Sequence, residues 1–185
     1  MVLLVLFLQL LQDSPQFQAV NDYNRHICRK LGTAIDVRLA ADLNVRAGNA
    51  PEGHLFISTG LIARAQNEAQ LAGVIAHEIA HAAAGTSCIR FIHIETTIDT
   101  EIQDERKHES DADQAAIKML TKAGYDPMAM LDFFSKYRRE GVDLPNAYSA
   151  RDLLMERLEI EATDHPLKDA IINTPEFDRV HGLIN

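Results

Sequence analysis

Only two cysteines, Cys28 and Cys88, occur in the 185 residues. They lie far apart in sequence, so neither a disulfide framework nor a cysteine-ligated zinc site can be read from them, and small buried apolar roles suit both. Positive charge is also scarce. Eighteen Lys and Arg stand against 27 Asp and Glu, a net charge of −9, and nucleic acid is excluded as a partner because its recognition depends on cations that neutralise phosphates. The sequence has no internal repeat or low-complexity tract, and no apolar run reaches the roughly 20 residues of a membrane span. The longest such run, MVLLVLFLQLL at 1–11, is about half that length. Residues 1–13 are either the remnant of a signal or anchor or a helix docked on the domain, and length alone cannot separate the two. Residues 14–185 are expected to form a single domain, large enough to bury roughly 70% of its unfolded surface. A hydrophobic fraction of 46% supplies the core.

The most informative stretch is LAGVIAHEIAHAAA at 71–84. With about 100° per residue, His77 and His81 project from one helical face roughly 6 Å apart along the axis, so both imidazoles can reach one ion. Glu78 is turned partly to the same side, where a carboxylate can take a proton from water without binding the metal. Leu71, Val74, Ile75, Ile79 and the alanines leave little polar face, which predicts a buried helix. Unpartnered polar groups there would cost about 2 kcal/mol each. A metal and a water molecule would satisfy all three, as in the H-E-x-x-H zinc peptidases.

Ser14-Pro15 reads as a cap and first turn, and Phe17, Val20, Ile27 and Leu31 recur at helical spacing until Gly32. Residues 34–47 suggest one or two strands, 48–53 a turn cluster, and HLFIS at 54–58 a further strand. Its place just before the metal helix suggests that HLFIS is an edge strand able to accept a peptide as an added strand. Gly60–Gln66 reads as a short helical turn, Asn67 as the cap of the histidine helix and Gly85 as its stop. A loop with weak helical character then runs to about Thr100.

A second helix is predicted over Gln103–Ala123. Glu109 and Asp113, four apart, continue the stripe of Ala112, Ala115, Ala116, Met119 and Leu120. A glutamate there could supply a third metal ligand and the aspartate could accept the free N–H of a ligating histidine. Glu105 and His108 compete for the ligand role on spacing alone. Further helices are expected over 127–140 and 150–162, with a last short one before Asn185.

Three segments carry a family resemblance: NEAQLAGVIAHEIAH at 67–81, HESDADQAAIKMLTKAGYDP at 108–127 and DHPL at 164–167. Together they resemble zinc metallopeptidase family forty-eight, the gluzincins that include the HtpX and CaaX prenyl endopeptidase branches. The likeness follows the family's order over residues 16–170. It implies a mainly helical α+β fold of zincin type, with a small β-sheet beside the H-E-x-x-H helix, and one Zn²⁺ per chain. It also implies His77, His81 and Glu109 as ligands, Glu78 as general base and Asp113 behind the ligands. His165 matches a late histidine that either stabilises the transition-state oxyanion or closes the metal site as a latch; a helix cap is its plain alternative.

Three departures accompany the likeness. Ile171 stands where an arginine often follows that histidine, with Arg179 or Arg151 as substitutes in space. Gly85-Thr86-Ser87 replaces a further histidine after the motif helix. The spans of the membrane-embedded branches are missing. The implied function is a zinc endopeptidase that cleaves unfolded or misassembled proteins in cell-envelope quality control, periplasmic or peripherally associated with the membrane. Its alternative is a latent zinc-containing binding or chaperone module closed by His165. Oligomeric state is not legible.

Overall fold

The computed structural model describes residues 14–49, 53–85, 98–139 and 167–184. The first helix, α1 (Pro15–Lys30), begins as its sequence dictates: Ser14 is extended, its hydroxyl accepts from Phe17 N, and proline occupies the first helical position. Phe17, Val20, Tyr23, Ile27 and Cys28 face inward. Burial pushes the Cys28 thiol up to about 12, so it behaves as the small apolar residue expected.

Strands β1 (Val37–Ala40), β2 (Ala47–Asn49) and β3 (Leu55–Ser58) follow. The sheet order is β1-β3-β2, with β1 parallel and β2 antiparallel to β3. HLFIS is therefore the central strand. This overturns its expected role as the edge that receives a peptide, because both its flanks are already hydrogen-bonded. The edge that lies beside the motif helix is β2, which begins at Ala47 and runs into what the sequence presents as turn residues.

Ser58 then caps α2 (Thr59–Arg64). Asn67 caps α3 (Glu68–Ala83), its side chain accepting from Gln70 N, and Gly85 ends the helix at φ 68°. Every residue of α3 from Glu68 to His81 is buried. The helix is clasped by α4 (Ile98–Ala123) and α5 (Met128–Arg139) on one side and by α1 and β2 on others. The approach to α5 is close enough to require Gly73, since a Cβ there would lie 2.6 Å from Met130 Cβ. Helix α4 starts five residues earlier than expected. A final helix, α6 (Pro175–Ile184), packs on α1 and α2. The architecture is mainly helical α+β with a small sheet beside the motif helix, as the sequence implied. Among the described residues no helix is long and apolar enough to cross a membrane. Residues 1–13, the expected helix over 150–162, Cys88 and Arg151 lie outside the described residues.

Candidate metal centre

Helix α3 presents His77 and His81 from adjacent turns, and α4 lays Glu109 against both. The two Nε2 atoms are 3.0 Å apart. Each Glu109 oxygen meets one histidine, Oε2 at 3.3 Å from His77 Nε2 and Oε1 at 3.3 Å from His81 Nε2. Both imidazoles are 2% exposed and the Glu109 side chain 19%. One donor atom from each residue can be chosen so that all lie within 4.8 Å of one another. Donors held about 2.1 Å from a tetrahedral ion stand about 3.4 Å apart. The spacing here fits such an ion, and imidazole with carboxylate is a donor set suited to zinc.

One helical turn after Glu109, Asp113 meets the other nitrogen of His77, with Oδ1 2.8 Å from Nδ1. An ionised carboxylate only accepts, so this contact places the His77 proton on Nδ1 and turns the Nε2 lone pair towards Glu109 and His81. Asp113 is 1% exposed. Burial opposes ionisation of Glu109, but in the metal-free chain hydrogen bonds from protonated Nε2 of His77 and then His81 outweigh it and hold its carboxyl well below the ordinary range; a bound ion would take the place of those protons. Phe134 of α5 stands edge-on to His77, ring centroids 5.8 Å apart, and forms part of the site's wall.

Glu78, next to His77 in sequence, is 7% exposed and outside the three-donor set. Its backbone carbonyl accepts from Asn49 Nδ2 at 3.1 Å, across the gap from β2 to α3. Asn49 was hidden in the sequence because Gly48-Asn49-Ala50-Pro51 reads as a turn. His108 does not join the donors; it is exposed, at the rim of a cavity of about 380 Å³ between α3 and α4 that His81 also lines. Glu105 and His165 fall outside the side chains described. Ile171 is used otherwise than as a charge: it bridges to Tyr125, its N–H donating to Gly124 O at 2.8 Å and its carbonyl accepting from Asp126 N at 3.1 Å. Arg179 is paired with Glu176 at 2.7 Å on the surface of α6.

The opposite end of α3 holds a second buried polar cluster, around Glu68. This carboxylate accepts from Tyr23 Oη at 2.8 Å, Tyr125 Oη at 2.5 Å, Lys30 Nζ at 3.0 Å and the Thr174 hydroxyl. Lys30 also stands 4.3 Å over the Tyr125 ring. Burial opposes the charge of Glu68, yet the bonds from Thr174, Tyr125, Lys30 and Tyr23 outweigh it and lower its pKa. Both tyrosines are pushed up, first by burial and then by the neighbouring carboxylate. Nothing in the local pattern points to this cluster beyond an acid in a first turn.

A model of Peptidase family M48 matches residues 37–102, the span from β1 through the motif helix into α4. A protein of Vibrio cholerae serotype O1 whose name gives it as a beta-barrel assembly-enhancing protease is 28% identical, over 65% of this chain and 33% of its own. The chain thus spans about one third of that relative's length. Over residues 37–102, which include the motif helix, the chain is similar to peptidase family M48.

Proposed function

We propose that the chain is a zinc-dependent endopeptidase domain, with His77, His81 and Glu109 as the protein ligands of one Zn²⁺ and Glu78 as general base. The observation that carries this reading is the buried three-donor cluster, with the Asp113 carboxylate fixing one histidine's tautomer and the buried Glu78 following His77 on the same helix. An ion bound there supplies Lewis acidity, which polarises a scissile carbonyl and acidifies water.

The remaining work falls to the chain's own side chains. Asp113 holds His77 with Nε2 deprotonated, so that nitrogen is available as a ligand at neutral pH. Glu109, ionised and facing both histidines, offsets the positive charge of the bound ion. The Glu78 carboxylate takes the proton of the attacking water and passes it to the leaving amine. β2, last in the strand order among the described residues, is the strand along which an extended peptide would add, with main-chain hydrogen bonds giving affinity and little sequence preference.

The name of the Vibrio relative connects that protein with beta-barrel assembly. Carried to this chain, it supports unfolded or misassembled cell-envelope proteins as substrates and a site of action in the envelope, periplasmic or at a membrane surface. The test is hydrolysis of an unfolded protein by the zinc-loaded chain beside Glu78→Gln. Wild-type cleavage lowered on the order of 10²–10⁴-fold in Glu78→Gln, with zinc retained, is the expected result for a general base. Equal cleavage by both would remove Glu78 from that role.

A further inference from the structure

The geometry points to Asn49 as a positioning residue that joins the peptide-receiving edge of the sheet to the backbone of Glu78 and, through its second polar atom, accepts a main-chain N–H of the bound peptide. This rests on the peptidase reading above. Asn49 closes strand β2, opposite Leu55 of β3. Its side chain leaves the strand and reaches α3, where Nδ2 donates to the Glu78 carbonyl at 3.1 Å. The residue is 8% exposed, so the bond is shielded from water.

A carbonyl inside a helix already has a helical donor, and a second bond entering from the side adds little to helix formation. What it fixes is the lateral distance between two elements. The elements are β2, an edge strand among the described residues, and the very residue whose carboxylate handles the proton. A peptide laid along β2 then has its scissile bond set relative to Glu78 by one short connection. Misplacement of reacting groups by about 1 Å is enough to lower rates on the order of 100-fold.

The other end of the same amide supplies the second observation. Asn49 Oδ1 is buried and, among the described residues, has no hydrogen-bond partner. Buried acceptors are rarely left unpaired, and one beside a site asks what donor completes it. An extended peptide added to an antiparallel edge carries a row of N–H groups. The ligand chemistry this acceptor fits is therefore a main-chain amide donor, independent of the substrate's side chains.

The test uses the zinc-loaded full chain with Asn49→Leu, which keeps the volume and removes both polar atoms, and Asn49→Asp, which keeps an acceptor and removes the donor to Glu78. Zinc content and thermal midpoint report folding and the metal centre. Peptide affinity is read by fluorescence anisotropy in a Glu78→Gln background, where no turnover intervenes. Asn49→Leu should retain zinc, weaken peptide binding about tenfold and lower kcat about tenfold, each the scale of one lost buried hydrogen bond. Asn49→Asp should recover peptide affinity while kcat stays low. Wild-type kcat and KM in Asn49→Leu would overturn the inference while leaving the peptidase reading intact. Loss of zinc in both variants would make Asn49 a structural residue and overturn it as well. Absence of cleavage by the wild type would remove both readings together.

Discussion

Helix α3 carries a buried carboxylate at each end, and the two are treated in opposite ways. At Glu68 the charge is enclosed by a lysine, two phenols and a hydroxyl, all of them donors. Roughly 14 Å along the axis, His77, His81 and Glu109 turn lone pairs towards a common centre, with the two Nε2 atoms at 3.0 Å. Glu68 has its donors within the chain; the three-donor set would, in the reading proposed above, be completed by a bound ion, and pairing of either kind offsets the cost of burying polar groups.

The Glu68 cluster shows what a structural buried charge looks like. It joins Tyr23 and Lys30 of α1, Tyr125 at the α4–α5 turn and Thr174 before α6 to the start of the motif helix. Alongside it Asn173 Oδ1 accepts from Glu68 N at 3.1 Å, and Ile172 O from Ala69 N at 2.9 Å. Three distant segments are thereby fixed to the helix that carries the histidines. Precision at the metal end depends on this anchoring, because the angle of α3 sets where His77 and His81 meet α4.

The contrast can be broken from either end. Glu68→Ala leaves a lysine and two phenols without their acceptor and should lower stability by about 3 kcal/mol, read as a lower urea midpoint in the metal-free protein. An equal urea midpoint in Glu68→Ala would show that the cluster is not the anchor described. Asp113→Ala leaves the buried His77 Nδ1–H without its acceptor, at about 1–3 kcal/mol of metal-free stability, and should in addition weaken zinc binding by 10–100-fold, read by competition with a chromophoric chelator. If zinc affinity is unaltered, Asp113 does not orient His77.

Acid sharpens the same comparison with a smaller effect. The folded pKa of Glu68 is lowered, so its contribution is complete above the unfolded carboxylate value of about 4.3 and is lost as pH falls through the folded value. The tyrosines are raised; their contribution is complete below about pH 10 and lost only as pH rises through the folded values. Urea midpoints between pH 3 and 7 should fall on the acid side for the wild type and less steeply for Glu68→Gln. Identical slopes would detach the acid limb from this residue.

The parts of this structure that a reader of the sequence could reach are those set by local periodicity and caps. Ser14-Pro15, Asn67 and Gly85 bound their helices, and the i, i+4 spacings of His77 with His81 and Glu109 with Asp113 put each pair on one face. What escaped was set by pairing over distance. HLFIS is central because β1 and β2 flank it, although its short apolar run, with Leu55, Ile57 and Ser58 all buried, is the pattern of a strand covered on both faces. Glu68 has the look of an ordinary first-turn acid; its partners come from residues 38 to 106 positions away. Asn49 lies in a segment whose composition says turn, while the strand ends only where its side chain reaches α3.

The most direct measurement of the central claim is the zinc content of the purified chain after saturation and removal of free metal, for the wild type and Glu109→Ala. The account predicts one zinc per chain in the wild type and a loss of affinity in Glu109→Ala greater than the roughly 100-fold expected for an outer partner such as Asp113. A wild type that holds no zinc, or a Glu109→Ala chain that holds it as tightly, would contradict the assignment of this cluster as the metal centre.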